Sequence, residues 1–149
     1  LGRRQARETA LQILFQIDVG KNEPNFAIKN TAEEFGAGPQ ELEFARQLVI
    51  GTLEHIEEID QMISRVSKEW QLNRMANVDR NIMRLALYEM KFRQDIPSSV
   101  SINEAVELAK IFSSSDSAKF VNGILGKFVQ VETEQTVLPE EAALLNTND

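Results

Sequence analysis

The chain contains no cysteine. That excludes a disulfide framework and any thiolate metal site, and it fits a cytosolic compartment. No apolar run approaches the roughly 18 residues needed to span a bilayer. The start is basic, but no apolar core with a small-residue cleavage site follows it, so no signal peptide is expected. Catalytic signatures are missing too: there is no glycine-rich phosphate loop, no HExxH and no GxSxG. The single histidine, His55, sits among Glu54, Glu57 and Glu58. A metal pair there is conceivable, but a solvated acidic helix face is the simpler account. Carboxylates are plentiful, yet no pair stands out from a helical surface. Neither an enzyme nor a cofactor is expected from these residues.

Strand periodicity is the next absence: no stretch of any length alternates apolar and polar residues. The apolar period is helical nearly throughout, and 149 residues leave room for one domain or two small helical halves sharing a core. Ala6, Ala10, Ile13, Leu14 and Ile17 form one stripe at i, i+4, i+7, i+8 and i+11. Gly20 and Pro24 stop it. A short helix is expected over Phe26–Phe35, ended by Gly36 and Gly38. Pro39 suits the first position of a third helix, which bends near Gly51 and continues to about Ser67. Val78–Arg93 is apolar around most of its circumference, as the central helix of a bundle would be, and Pro97 marks its end. Ser101-x-x-Glu104 has capping-box spacing. Ser113–Asp116 is a second cap-like cluster, opening a last helix with Ala118, Val121, Leu125 and Phe128 on one face. The expectation is an all-α fold of about seven helices over residues 1–131. An acidic, mostly disordered tail follows over 132–149.

The formal charge of −7 is unevenly spread: net +2 over residues 1–32, −6 over 33–69, +2 over 70–131 and −5 over 132–149. Net charge therefore speaks against nonspecific nucleic-acid binding. It leaves room for a local anion site, because Coulomb effects in salt reach only about 8–10 Å. The candidate is Arg3-Arg4-Gln5-Ala6-Arg7 at the head of the first helix. With Arg3 at 0° and about 100° per residue, Arg7 falls near ~40° and Arg4 near ~100°. Both flank the core stripe, beside a second apolar strip of Leu11 and Phe15. Arginine forks suit phosphates and stack on bases, and a helix start adds free amide donors. The competing account is a frayed solvated terminus, with Arg7 paired to a carboxylate. A second basic strip, Arg80, Arg84 and Lys91 with Tyr88, runs along the central helix; ordinary solvated pairing competes there too. Asp116, Lys119 and Phe120 form a polar-aromatic cluster, in which Phe120 fits either a many-sided core or an exposed stacking platform.

These pieces together resemble the NusB family of bacterial transcription antitermination factors. The likeness rests on four motifs in order: Arg3-Arg4-x-Ala6-Arg7-Glu8 with Ala10-Leu11-Gln12; Arg84-Leu85-Ala86-Leu87-Tyr88-Glu89; Ile102-Asn103-Glu104-Ala105-Val106-Glu107-Leu108-Ala109-Lys110; and Lys119-Phe120-Val121-Asn122-Gly123-Ile124-Leu125. Each is modest alone; the series is specific and spans roughly residues 3–130. The resemblance implies two packed three-helix bundles with an arginine-rich N-terminal helix. It also implies binding of boxA, a single-stranded RNA element of ribosomal RNA transcripts, as a heterodimer with ribosomal protein NusE in the RNA polymerase antitermination complex. Carried over by position, Arg3, Arg4, Arg7, Phe112, Asp116, Lys119 and Phe120 would contact RNA. Phe15, Asp79 and Arg84 would fall at or near the NusE face.

Some positions depart from the family pattern. Phe15 stands where many relatives have tyrosine, Gln5 where some have a third consecutive arginine, and Ser98-Ser99 lacks a basic residue found in some. Fewer cations imply weaker intrinsic RNA binding. Two other readings compete. A similar helical domain precedes the catalytic domain of certain ribosomal RNA cytosine methyltransferases, but those use cysteines and a Rossmann-like domain that this sequence lacks. A purely protein-binding helical adaptor is the other; it requires that RNA have no effect.

Overall fold

The computed structural model describes the backbone of residues 2–36, 38–67 and 71–147; side chains are described within these ranges up to Glu134, except at 2 and 35. Seven α-helices are found there and no strand: α1 (Gly2–Asp18), α2 (Pro24–Phe35), α3 (Pro39–Glu54), α4 (Ile56–Val66), α5 (Asn77–Phe92), α6 (Ser98–Phe112) and α7 (Ser115–Thr147). A 3₁₀ turn, Leu72–Arg74, leads into α5. Among the described residues no helix is long and apolar enough to cross a membrane.

The helices form two groups, as the resemblance implied. In the first, α1 packs on α2 and closely on α3; in the second, α5, α6 and α7 pack together, with α4 against α5 and α7. The arginine-rich helix is thus built into the first bundle. It also touches α5, which joins the halves. Of the stripe read from the sequence, Ala6, Ala10, Ile13 and Leu14 are almost wholly buried and Ile17 partly; Ile82, Met83, Leu85 and Leu87 of the central α5 are almost wholly buried too. Each large aliphatic side chain buried this way contributes about 1.5–3 kcal/mol.

Local chemistry explains several boundaries. Glu23 caps α2, its carboxylate accepting from the amides of Asn25 and Phe26, with Pro24 as the first helical residue. Gly36 ends that helix at φ 63°, a conformation glycine adopts without strain. The long helix expected across Gly51 to Ser67 is instead two, broken at His55. Thr52 contributes there, its hydroxyl bonding back to the Leu48 carbonyl at 2.7 Å, a pattern that loosens helices. Gly51 has a different task. The Tyr88 ring lies so close to its Cα that a Cβ would collide with it.

Two further expectations are corrected. Ser101 does not cap a helix: α6 begins at Ser98, and Ser101 is buried with its hydroxyl donating to Glu89 at 3.0 Å. Leu11 and Phe15 do not share an exposed strip, since Leu11 is buried in the core. The segment 132–149 lies largely outside the described side chains; the backbone of α7 is helical to Thr147.

Candidate nucleic-acid interface

The three arginines of α1 have three different fates. Arg3 is exposed, its guanidinium carbon 4.5 Å from the centroid of the Phe44 ring on α3. Arg4 is half exposed and forks onto Glu104 of α6 through bonds of 3.0 and 3.1 Å. That fork is the main reason the Glu104 carboxyl sits below the ordinary range, against an opposing pull from burial. Arg7 is buried: it forks onto Glu89 of α5 at 2.9 and 2.7 Å, and Ser101 of α6 donates to the same carboxylate. Arg7 therefore does not lie on the surface where the sequence put it. A helical wheel assigns it to the edge of the stripe; packing of α5 and α6 over that edge encloses it.

The second cluster is the turn from α6 to α7. Ser114 caps α7, its hydroxyl accepting from the Ser117 amide at 3.1 Å. Asp116, the other candidate cap, is exposed and makes no hydrogen bond among the described residues. Lys119 is exposed one turn along α7. Phe112 and Phe120 are half-buried, packed against the core yet partly open. Phe120 is thus neither a fully enclosed core residue nor a fully exposed platform. The turn and the α1 arginines share α6. Glu104, which holds Arg4, stands eight residues before Phe112, about 12 Å along the helix.

The expected partner-face residues also divide. Phe15 is 38% exposed, and two more apolar side chains of the first bundle, Val19 and Phe26, are 44% and 58% exposed. Sequence reasoning missed both, although Val19 follows Phe15 by one turn. Asp79 is buried: one oxygen accepts from Ser117 at 3.2 Å and the other has no partner. Burial pushes its carboxyl up, with the Ser117 bond opposing. Arg84 is largely buried, forking onto Asp60 at 2.8 and 2.9 Å and lying 3.3 Å from Asp18.

The second basic strip is not an anion site. Arg80 binds Asp18 at 2.6 Å, Arg84 binds Asp60, Lys91 meets Glu132 at 3.2 Å, and Tyr88 is buried. Burial tends to raise the Asp18 carboxyl, but bonds from Arg80 and Asn81 and the charges of Arg80 and Arg84 together bring it below the usual value. His55 stacks on Phe92 with centroids 3.9 Å apart and faces Glu58 at 3.8 Å. Among the described residues no group of three potential metal ligands converges.

What remains is an all-helical scaffold with cations and half-open aromatic rings gathered along α1, α6 and the start of α7. The NusB family model matches residues 4–130, and the chain belongs to that family. The transcription antitermination protein NusB of Desulforamulus reducens is 75% identical over 134 residues, which is 90% of this chain and 94% of that protein. Its counterpart in Pelotomaculum thermopropionicum is 54% identical over 96% of this chain and 99% of its own length. Both are named for a role in transcription rather than for a reaction. Among solved structures, T. maritima NusB superposes with a TM-score of 0.79 at 38% identity, covering 86% of this chain and 90% of that one. A chain from a complex of the antitermination factors NusB and NusE with dsRNA gives 0.80 at 30% identity, covering 87% and 97%.

Proposed function

We propose that this chain is a transcription antitermination factor of the bacterial cytoplasm. It binds single-stranded boxA RNA of ribosomal RNA transcripts together with ribosomal protein NusE, within the RNA polymerase antitermination complex. The observation that carries the reading is the pairing of exposed Arg3 and Arg4 with the α6–α7 turn, where Asp116 and Lys119 are free and two phenyl rings are half open. Arg3, Arg4 and Lys119 meet phosphates, which position the strand. Phe112 and Phe120 stack unpaired bases, worth about 1–3 kcal/mol per base. Asp116 repels phosphate; it accepts from base edges and so contributes sequence preference. Arg7 works from behind, locking α1 to α5 and α6 so that its neighbours point outward.

The NusE face centres on Phe15, extended by Val19 and Phe26. Asp79 and Arg84 do not reach that surface: Asp79 is buried against Ser117 of α7, and Arg84 braces α1 and α4 through Asp18 and Asp60. Titration of boxA RNA against a scrambled RNA, with and without NusE, tests the whole reading. Preference for boxA that strengthens with NusE supports it. Equal weak binding to both RNAs, unmoved by NusE, would leave a protein-only adaptor.

A further inference from the structure

We propose that Phe44 is the centre of a further phosphate station for the RNA backbone, formed by Arg3, Arg93 and Arg46. It rests on the RNA-binding reading above and extends the interface onto α3 and the end of α5. Three guanidinium carbons surround the Phe44 ring: Arg3 at 4.5 Å, Arg93 at 5.4 Å and Arg7 at 5.8 Å from its centroid. Like charges gathered on one ring repel unless each is neutralised. Arg7 is neutralised by Glu89, and Arg93 by Asp95 through two bonds of 3.0 Å. Arg3 has no ion-pair partner among the described residues, and neither has Arg46.

Arg46 and Arg93 line one shallow hollow of about 310 Å³ with Gln47, Gly51 and Tyr88, where Glu54 is the sole acid. Gln47 accepts from Arg93 at 3.3 Å and fixes its fork. The ring supplies cation–π attraction that holds Arg3 and Arg93 in place; with Arg93 paired to Asp95, the unpaired charge of the spot is that of Arg3 and Arg46. The result is a preoriented cationic spot with an excess of positive charge. It is continuous with Arg4 through Arg3, so a strand lying along the α1 arginines reaches it. A phosphate with its sugar fits the hollow, the phosphate meeting Arg46 and Arg93 and the sugar lying on Ile50 and Tyr88.

Fluorescence anisotropy of labelled boxA RNA with the full chain, across a salt series, tests this. Arg46→Gln alters an exposed, unpaired side chain. It should weaken binding about 3–10-fold and reduce the slope of log K against log salt by about 0.7, the value for one phosphate on a single strand. Phe44→Leu should weaken binding several-fold with the slope unchanged, since no charge is lost. Arg65→Gln, an exposed cation on α4, should do nothing. If the unaltered chain binds no RNA, the RNA reading itself fails and this station with it. If the unaltered chain binds and Arg46→Gln matches it in affinity and slope, the station alone is refuted. An equal loss from Arg65→Gln would also refute it, by showing an effect of net charge only. Should Phe44→Leu melt early, Arg46→Gln decides by itself.

Discussion

Replacing Arg7 with methionine separates support from contact. The side chain is 4% exposed and its Glu89 partner 2%. Arg7→Met keeps most of the stem's packing but leaves the Glu89 carboxylate buried with only the Ser101 hydroxyl. Breaking a buried pair from one side costs about 3–5 kcal/mol. For a chain of this size 1 kcal/mol is worth about 2–4 °C in melting temperature, so a fall of roughly 6–20 °C is expected. Removing both partners, Arg7→Met with Glu89→Leu, eliminates the uncompensated charge. It should recover at least ~2 kcal/mol relative to the single variant. Thermal and urea unfolding check these values. The same proteins, assayed in the cold where they remain folded, then go into RNA titrations. Arg7→Met should keep the salt slope of the unaltered chain, while Arg4→Ala should lower it by about 0.7 with its melting temperature unchanged. A slope lost in Arg7→Met with stability intact would refute the argument and make Arg7 a phosphate contact.

Two carboxylates should respond to pH with opposite sign. Asp18 is held below the ordinary aspartate value of 3.8, so its stabilisation is complete above 3.8 and is lost as pH falls through its lower folded value. Asp18→Asn should therefore reduce the melting temperature at pH 7, and the difference should shrink in acid. Asp79 is raised above 3.8 by burial, so its ionisation opposes folding as pH climbs through the raised value. Asp79→Asn should cost less at pH 7 than at pH 3, or reverse to a gain; melting curves at both pH values decide. Gly51→Ala drives a Cβ into the Tyr88 ring and should cost about 1–3 kcal/mol in urea unfolding. Phe15→Asp should impair NusE capture in a pull-down while RNA binding by the isolated chain is unchanged. Normal capture would move the partner face elsewhere.

The helices and their inward faces follow from the order of amino acids alone. A 3.6-residue apolar period states which side of a helix leaves water, and Pro24, Pro39, Gly36 and Pro97 mark ends through backbone chemistry alone. Hence Ala6, Ala10, Ile13 and Leu14 of the stripe are buried as read and Ile17 partly so, and α2, α5 and α7 begin within two residues of their expected starts. The order of the four motifs likewise carried the family. The state of residues at the edge of a stripe depends instead on how the helices pack. Arg7 and Leu11 lie beside the core on a helical wheel, and whether such positions face water depends on the neighbouring helix. Here α5 and α6 enclose Arg7 with Glu89, and the packed core encloses Leu11. Charges on Arg80 and Arg84 look free along a single helix; Asp18 and Asp60 arrive from elsewhere in the chain. Ser101 has the spacing of a cap but serves a carboxylate twelve residues away. Phe44, one apolar letter in α3, becomes the meeting point of Arg3, Arg7 and Arg93. Periodicity records distances along one helix, whereas ion pairs, cation–π contacts and enclosure depend on distances between helices, which packing alone sets.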